Sequence, residues 1–400
     1  MRGSLRMVFA AALLVFTASV ADGQDGKLLS PEGGDVRSMT ADPRNPDVLY
    51  LGTVDGHVFN SSDGGAHWRV AGRVGNRQDL VVMALMVDRR DTKRVFAATR
   101  VFGDDGGGVY RSDDAGATWR AAGLPGQTVR AIAQSASDPA MMLAGTLDGV
   151  YRTHNDGRDW ERISPARHEE LKNFDSLAID PRNDKVIYAG TYHLAWKTTD
   201  GGANWSPIHN GMAQDSDVMS ITLDPLNPDR VYASACSGIY HSDNLGEQWA
   251  KYRSLPDSDH RTQIIEQDPT NKSIVYAGTT SGLWKTSNAG TSWARVTPAN
   301  WTISAIVMDS QRPGRLILGV EGLGVYVSHD FAANIVSSNE GFSHRQVSGV
   351  VVDPADPAHM LLEVTNSIQP FFESRDGGRK WTPLGGGATS QSVREIYAGP

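Results

Sequence analysis

Carboxylates and imidazoles gathered in a few loops are the groups in this chain with chemistry to offer. Asp55, in "TVDGH", and Asp148, in "TLDG", sit in short turns that contain Gly. Two carboxylates at a suitable separation can protonate a leaving oxygen and activate a nucleophile, which is the chemistry of glycoside cleavage. Further carboxylates fall in "RHEELKNFD" (Glu170, Asp175), "AQDSD" (Asp217), "DSDHRT" (Asp259 with His260), "VEGLG" (Glu321) and "NEGFSH" (Glu340 with His344). An acidic rim with scattered histidines could equally bind a cation or a basic partner. Trp301, in "PANWTIS", offers a face for stacking. Each residue also has a plain structural reading: Asp before Gly forms turns, polar loops are solvated, and Trp fills cores.

Other acidic and amide residues recur too regularly to be a site. Asp63, Asp114, Asn155, Asp200, Asn244, Asn288, Asp330 and Asp376 each sit in a Ser/Thr-x-Asp/Asn-x-Gly-x-x-Trp motif, from "SSDGGAHW" to "SRDGGRKW", with a worn copy at "SHDFAANI". Such a turn needs a residue that accepts positive φ, which Gly provides, and an oxygen to take up backbone N–H groups. Asn replaces Asp in three copies. A general acid would not survive that exchange, whereas a turn-capping acceptor does. The motif therefore reads as a structural staple.

The elements that carry these residues repeat with the motif. Copies stand about 45 residues apart, and a second marker, Asp-Pro at 42–43, 138–139, 180–181, 224–225, 268–269 and 353–354, keeps step with them. Within a unit such as 218–252, "VMSITL", "RVYASA", "IYHS" and "QWAKY" read as four short strands separated by turns. The stretch "SPARHEELKNF" (164–174) is the one short helix the pattern allows. Four strands per repeat predict an all-β single propeller of four-stranded blades, eight favoured and seven the alternative. The blades occupy 35–384. Residues 22–34 and 385–400, where "VREIYAGP" matches the opening of a blade, are candidates for closing the ring.

Composition narrows the partners. The 400-residue chain carries 38 basic and 46 acidic residues, a net charge of −8, which argues against a nucleic-acid partner. A lone Cys236 excludes an internal disulfide and a cysteine-based zinc site. "MRGSLRMVFAAALLVFTASVADGQ" has a basic start, an apolar run and small residues before Asp22, the pattern of a cleaved signal peptide over 1–21. The mature chain is expected to be secreted or periplasmic and monomeric, with no transmembrane segment. No phosphate loop, HExxH, GxSxG or histidine pair at metal spacing is present, so neither a cofactor nor a metal is expected.

The repeat is similar to the Asp-box, or BNR, repeat of sialidases, xyloglucan-cleaving glucanases, sortilin-type receptors and photosystem II assembly propellers. That resemblance implies that the box lies on the blade face opposite the functional one. The sialidase Arg-Ile-Pro motif is lacking, "ERISP" being its nearest approach. The glucanases carry a catalytic Asp after the second strand of the first blade. Asp55 in "LYLGTVDGHVF" falls one place late for it, and their second catalytic Asp comes from a second propeller. The assembly propellers match better in size and imply protein binding, though this acidic chain shows no evident basic cluster. The sequence therefore points to a propeller that binds protein or carbohydrate through top-face loops, with glycoside hydrolysis at Asp55 or Asp148 as the alternative. Trp301, Glu170, Asp175, Asp217, Asp259, His260 and Glu321 are the binding candidates.

Overall fold

A computed structural model describes residues 30–103, 106–214, 216–253, 262–365 and 367–385. The segment read as a signal peptide, residues 386–400, Asp259 and His260 lie outside the described residues. The described chain forms eight four-stranded antiparallel sheets, each from one continuous stretch. Blade 5, for example, comprises Val218–Leu223, Val231–Ala235, Gly238–Ser242 and Ala250–Lys251. The architecture is all-β. No helix forms at 164–174, where Arg167 and Asn173 take positive φ and break the helical run.

The second strands explain why blades stack. Leu49–Gly52, Met142–Thr146, Ile187–Thr191, Val231–Ala235, Val275–Thr279 and Leu316–Val320 are buried at every position. Apolar residues on both faces of a sheet require a neighbour on both sides. First strands of successive blades touch from blade 1 to blade 7, and the first strand of blade 7, Ile303–Met308, touches that of blade 1, Ser38–Ala41. One core at this seam joins Val36, Leu51 and Trp68 to Ile317, Val325 and Phe342. Seven blades therefore form a ring, and blade 8 (Val347–Val352 to Thr382–Pro383) stands beside it. Both numbers raised by the sequence have a place, because repeats count blades and not which blades touch.

Closure uses side chains. The indole N–H of Trp68 donates to the Ser338 carbonyl at 2.9 Å. Trp160 and Trp205 make the same bond to Ala122 and Ile163 of the preceding blade, at 2.8 and 2.9 Å. Arg312 adds an ion pair to Asp47 across the seam at 2.6 Å. Gly33–Gly34, within the N-terminal segment considered for ring closure, pair in parallel with Ser343–His344 and enter none of the four-stranded sheets.

The staple is the same in all eight motif copies. In "SDDAGATW" the Ser112 hydroxyl donates to Asp114 at 2.7 Å and accepts from the Gly116 N–H at 2.8 Å, while Asp114 accepts from the Thr118 N–H at 2.8 Å. Asn244 does the work of Asp, accepting from Ser242 and from the Gln248 N–H at 2.8 and 3.0 Å. The residue before each motif Gly also sits at positive φ, as Ala115 and Leu245 do near 60°. In the worn copy Ala332 occupies the Gly place at φ 64°.

Candidate functional site

Opposite the staples lie the turns between second and third strands and the connections between blades. Their scaffold is a Thr at or near the end of the second strand: Thr53, Thr99, Thr146, Thr191 and Thr279 are fully buried. Each hydroxyl turns back into its own loop, as Thr99 does to the Gly108 carbonyl at 3.0 Å and Thr279 to that of Gly282 at 2.8 Å. Rigid turns thus hold whatever side chains they present.

Asp55 and Asp148 occupy equivalent turns and are held in part alike. Each accepts from the Thr two residues earlier, at 2.7 Å from Thr53 and 2.6 Å from Thr146. Asp148 also meets Arg162 at 3.2 Å and the Tyr151 hydroxyl at 3.3 Å. Asp55 is met by His57 Nδ1 at 3.0 Å and by His344 Nε2 at 2.9 Å. Burial pushes the Asp55 carboxyl up, but hydrogen bonds from His344, Thr53 and His57 outweigh it and hold the group far below the usual carboxylate range. Asp35 behaves oppositely: burial raises it, against the nearby positive charge of Arg37.

From Asp35 a charged arc continues around the ring mouth. Arg37 pairs with Glu321 at 3.3 Å and Arg130 with Asp175 at 2.6 Å. Burial raises both carboxyls, partly offset by their arginines. Arg100 lies near both other arginines; burial, then repulsion from Arg37 and Arg130, lowers it. The arc is therefore mixed in sign and not an acidic rim. The arginines were invisible as a cluster because they come from different blades. Arg37, Arg130 and Asp175 nonetheless occupy the same repeat position, "VRS", "VRA" and "FDS", and that alignment was a usable signal.

The remaining candidates are dispersed. Glu170 lies 3.9 Å from His193. The Asp217 carbonyl accepts from the Cys236 N–H at 3.0 Å, its residue half-buried at the start of blade 5. Trp301 is half-buried against Tyr326, ring centroids 4.2 Å apart, so it serves packing with at least one face. Two rings do face solvent: Phe102 is 69% exposed and Tyr192 57%, each in a turn between second and third strands. The Arg100 guanidinium lies 5.8 Å from the Phe102 ring centre.

Comparisons with known proteins agree with this fold. Residues 107–214 match the family described as sortilin, neurotensin receptor 3. Curated relatives include xyloglucanases from Paenibacillus sp, 24% identical over 42% of this chain and 20% of that protein, and from Hypocrea jecorina, 25% identical over 44% and 26%. The chain thus spans about a quarter or less of their length. Among solved structures, the GH74 xyloglucanase of Xanthomonas campestris superposes with a TM-score of 0.67 at 16% identity, over 88% of this chain and 68% of that one. YCF48 bound to D1 peptide gives 0.57 at 17%, over 75% and 95%. At these identities the likeness speaks for the fold. Repeat and architecture together make the chain an all-β propeller, and the comparisons find it similar to the sortilin family, the xyloglucanases and YCF48.

Proposed function

We propose that this is an exported propeller that binds a glycan on the face opposite its staples. The observation that carries the reading is the pair of exposed rings, Phe102 and Tyr192, each following a second strand on that face. An exposed aromatic face is a surface that a ligand ring can cover by stacking. Sugar rings present C–H faces that stack on aromatics, and their hydroxyls suit alternating Arg and carboxylate partners such as Arg130 and Asp175. The xyloglucanase relatives support a glycan over other ligands. Export rests on the N-terminal pattern, and is in keeping with the like-folded extracellular domain of BT4673 from B. thetaiotaomicron, TM-score 0.58.

The test is binding of the chain to soluble xyloglucan and a panel of other polysaccharides by calorimetry. Phe102→Ala and Tyr192→Ala should each weaken binding about three- to tenfold, the worth of one stacking contact. No binding to any glycan, or binding by both variants as tight as that of the parent chain, overturns the reading; capture of a peptide in its place would make this a protein-binding face. Reducing-end release that disappears in Asp55→Ala or Asp148→Ala would make the chain a hydrolase.

A further inference from the structure

Two histidines far apart in the chain, His57 and His344, meet at one oxygen of Asp55. Asp55 and His57 flank Gly56, whose φ of 88° folds the turn so that both face the same way. His344 arrives from the segment that leaves the ring toward blade 8. Oδ1 of Asp55 lies 3.0 Å from His57 Nδ1 and 2.9 Å from His344 Nε2, and also takes the Thr53 hydroxyl at 2.7 Å. Two imidazole nitrogens and the Thr53 hydroxyl thus crowd one oxygen that has two lone-pair directions, with the His57 backbone N–H beside them at 3.5 Å. Among the described residues, Oδ2 of the same carboxylate meets no donor. One oxygen is over-subscribed and the other unused.

Two imidazole nitrogens and a carboxylate oxygen are a donor set that Zn²⁺ prefers, and three protein ligands leave a fourth position open. The candidate ligand atoms all lie within 4.8 Å of one another. Tetrahedral zinc with bonds of about 2.0–2.2 Å holds its ligands about 3.4 Å apart, so each imidazole nitrogen, at 3.0 and 2.9 Å from Asp55 Oδ1, needs to draw back from that oxygen by only about half an ångström. The side chains are 31%, 33% and 21% exposed for Asp55, His57 and His344, so solvent reaches all three. His344 is already braced, edge-on to His57 and Phe59 at 5.2 and 5.7 Å and over Phe342 at 6.5 Å. A site held this way is preorganised.

We propose that Asp55, His57 and His344 form a zinc site with one open coordination position, which clips the segment leading to blade 8 onto the turn of blade 1. The proposal does not depend on the glycan reading, since its ligands are separate from Phe102 and Tyr192. The test is calorimetric titration of the whole chain, first stripped with chelator, with Zn²⁺ in a non-coordinating buffer. One Zn²⁺ should bind per chain and raise the melting temperature, since a ligand that binds only the folded state stabilises it. His344→Ala and His57→Ala should each weaken uptake at least about a hundredfold, with melting temperatures in chelator near that of the parent. His57 lies on a partly exposed turn, so His57→Ala decides the matter if His344→Ala does not fold. Lack of uptake by the parent chain, or uptake unchanged in His57→Ala, overturns the proposal.

Discussion

Blades 5 and 8 are built from the same unit and live in different surroundings. Both carry the staple: Ser242 accepts from the Gly246 N–H at 2.9 Å and Ser374 from the Gly378 N–H at 2.8 Å. Blade 5 sits in one large core in which Val218, Tyr188 and Ala233 are fully buried. Blade 8 keeps only two small clusters, around Leu361 with Phe371 and around Leu362 with Phe372. Its first strand leaves Val350 49% exposed, in a position whose counterpart in blade 5, Ile221, is buried. The staple is thus a property of the single blade, and burial is a property of the stack.

That contrast sets the order of effects. Trp249→Ala removes a buried indole and its bond to the Ile208 carbonyl, and should lower unfolding free energy by about 3–5 kcal/mol in urea. Trp381→Ala in blade 8, only half-buried, should cost about 1–2 kcal/mol. Equal losses would break the distinction between stack and unit. Ser242→Ala and Ser374→Ala, by contrast, should each cost about 1–2 kcal/mol, because each strands a buried Gly N–H. A loss confined to Ser242→Ala would show that the staple needs neighbours after all.

Smaller effects sharpen the same point. Ala332→Gly restores the residue suited to φ 64° and should raise stability by about 0.5–1 kcal/mol, read from the shift in urea midpoint. The last effect is one of shape. Asp200 is held down to about 2, by the Asn204 N–H first and the Asn204 and Thr198 side chains next; Asp376 is lowered too, chiefly by the Lys380 N–H. Because the folded values lie below the unfolded 3.8, the stability these groups add is complete above that pH and fades as pH falls toward about 2. Asp200→Asn and Asp376→Asn should each flatten the acid limb of the stability curve. A curve unchanged in Asp200→Asn would remove the carboxylate from the account.

The fold was legible because its signals are local. Ser112, Asp114, Gly116 and Trp119 stand at fixed offsets within one turn, and the turn makes its bonds within those offsets. The site was not, because its partners are far apart in the chain: Arg37 meets Glu321, and His344 meets Asp55, across some 280 residues. Spacing along a sequence cannot report a meeting that depends on how many blades close the ring. Asp55 was singled out for its turn, yet nothing local to it pointed to His344. Phe102 was overlooked for a related reason: an apolar residue in a turn reads as core until a structure shows the turn standing clear of it.

The seam between blades 7 and 1 has one more consequence. Every four-stranded sheet comes from a single stretch of chain, and the Trp68 bond to Ser338 that closes the ring is the one Trp160 and Trp205 make at internal boundaries. Order along the gene and order around the circle are therefore interchangeable. A circular permutant of the ring opened in the connection between blades 3 and 4 would cut through no sheet, and its new ends would meet across a boundary of the kind that already holds without a peptide bond.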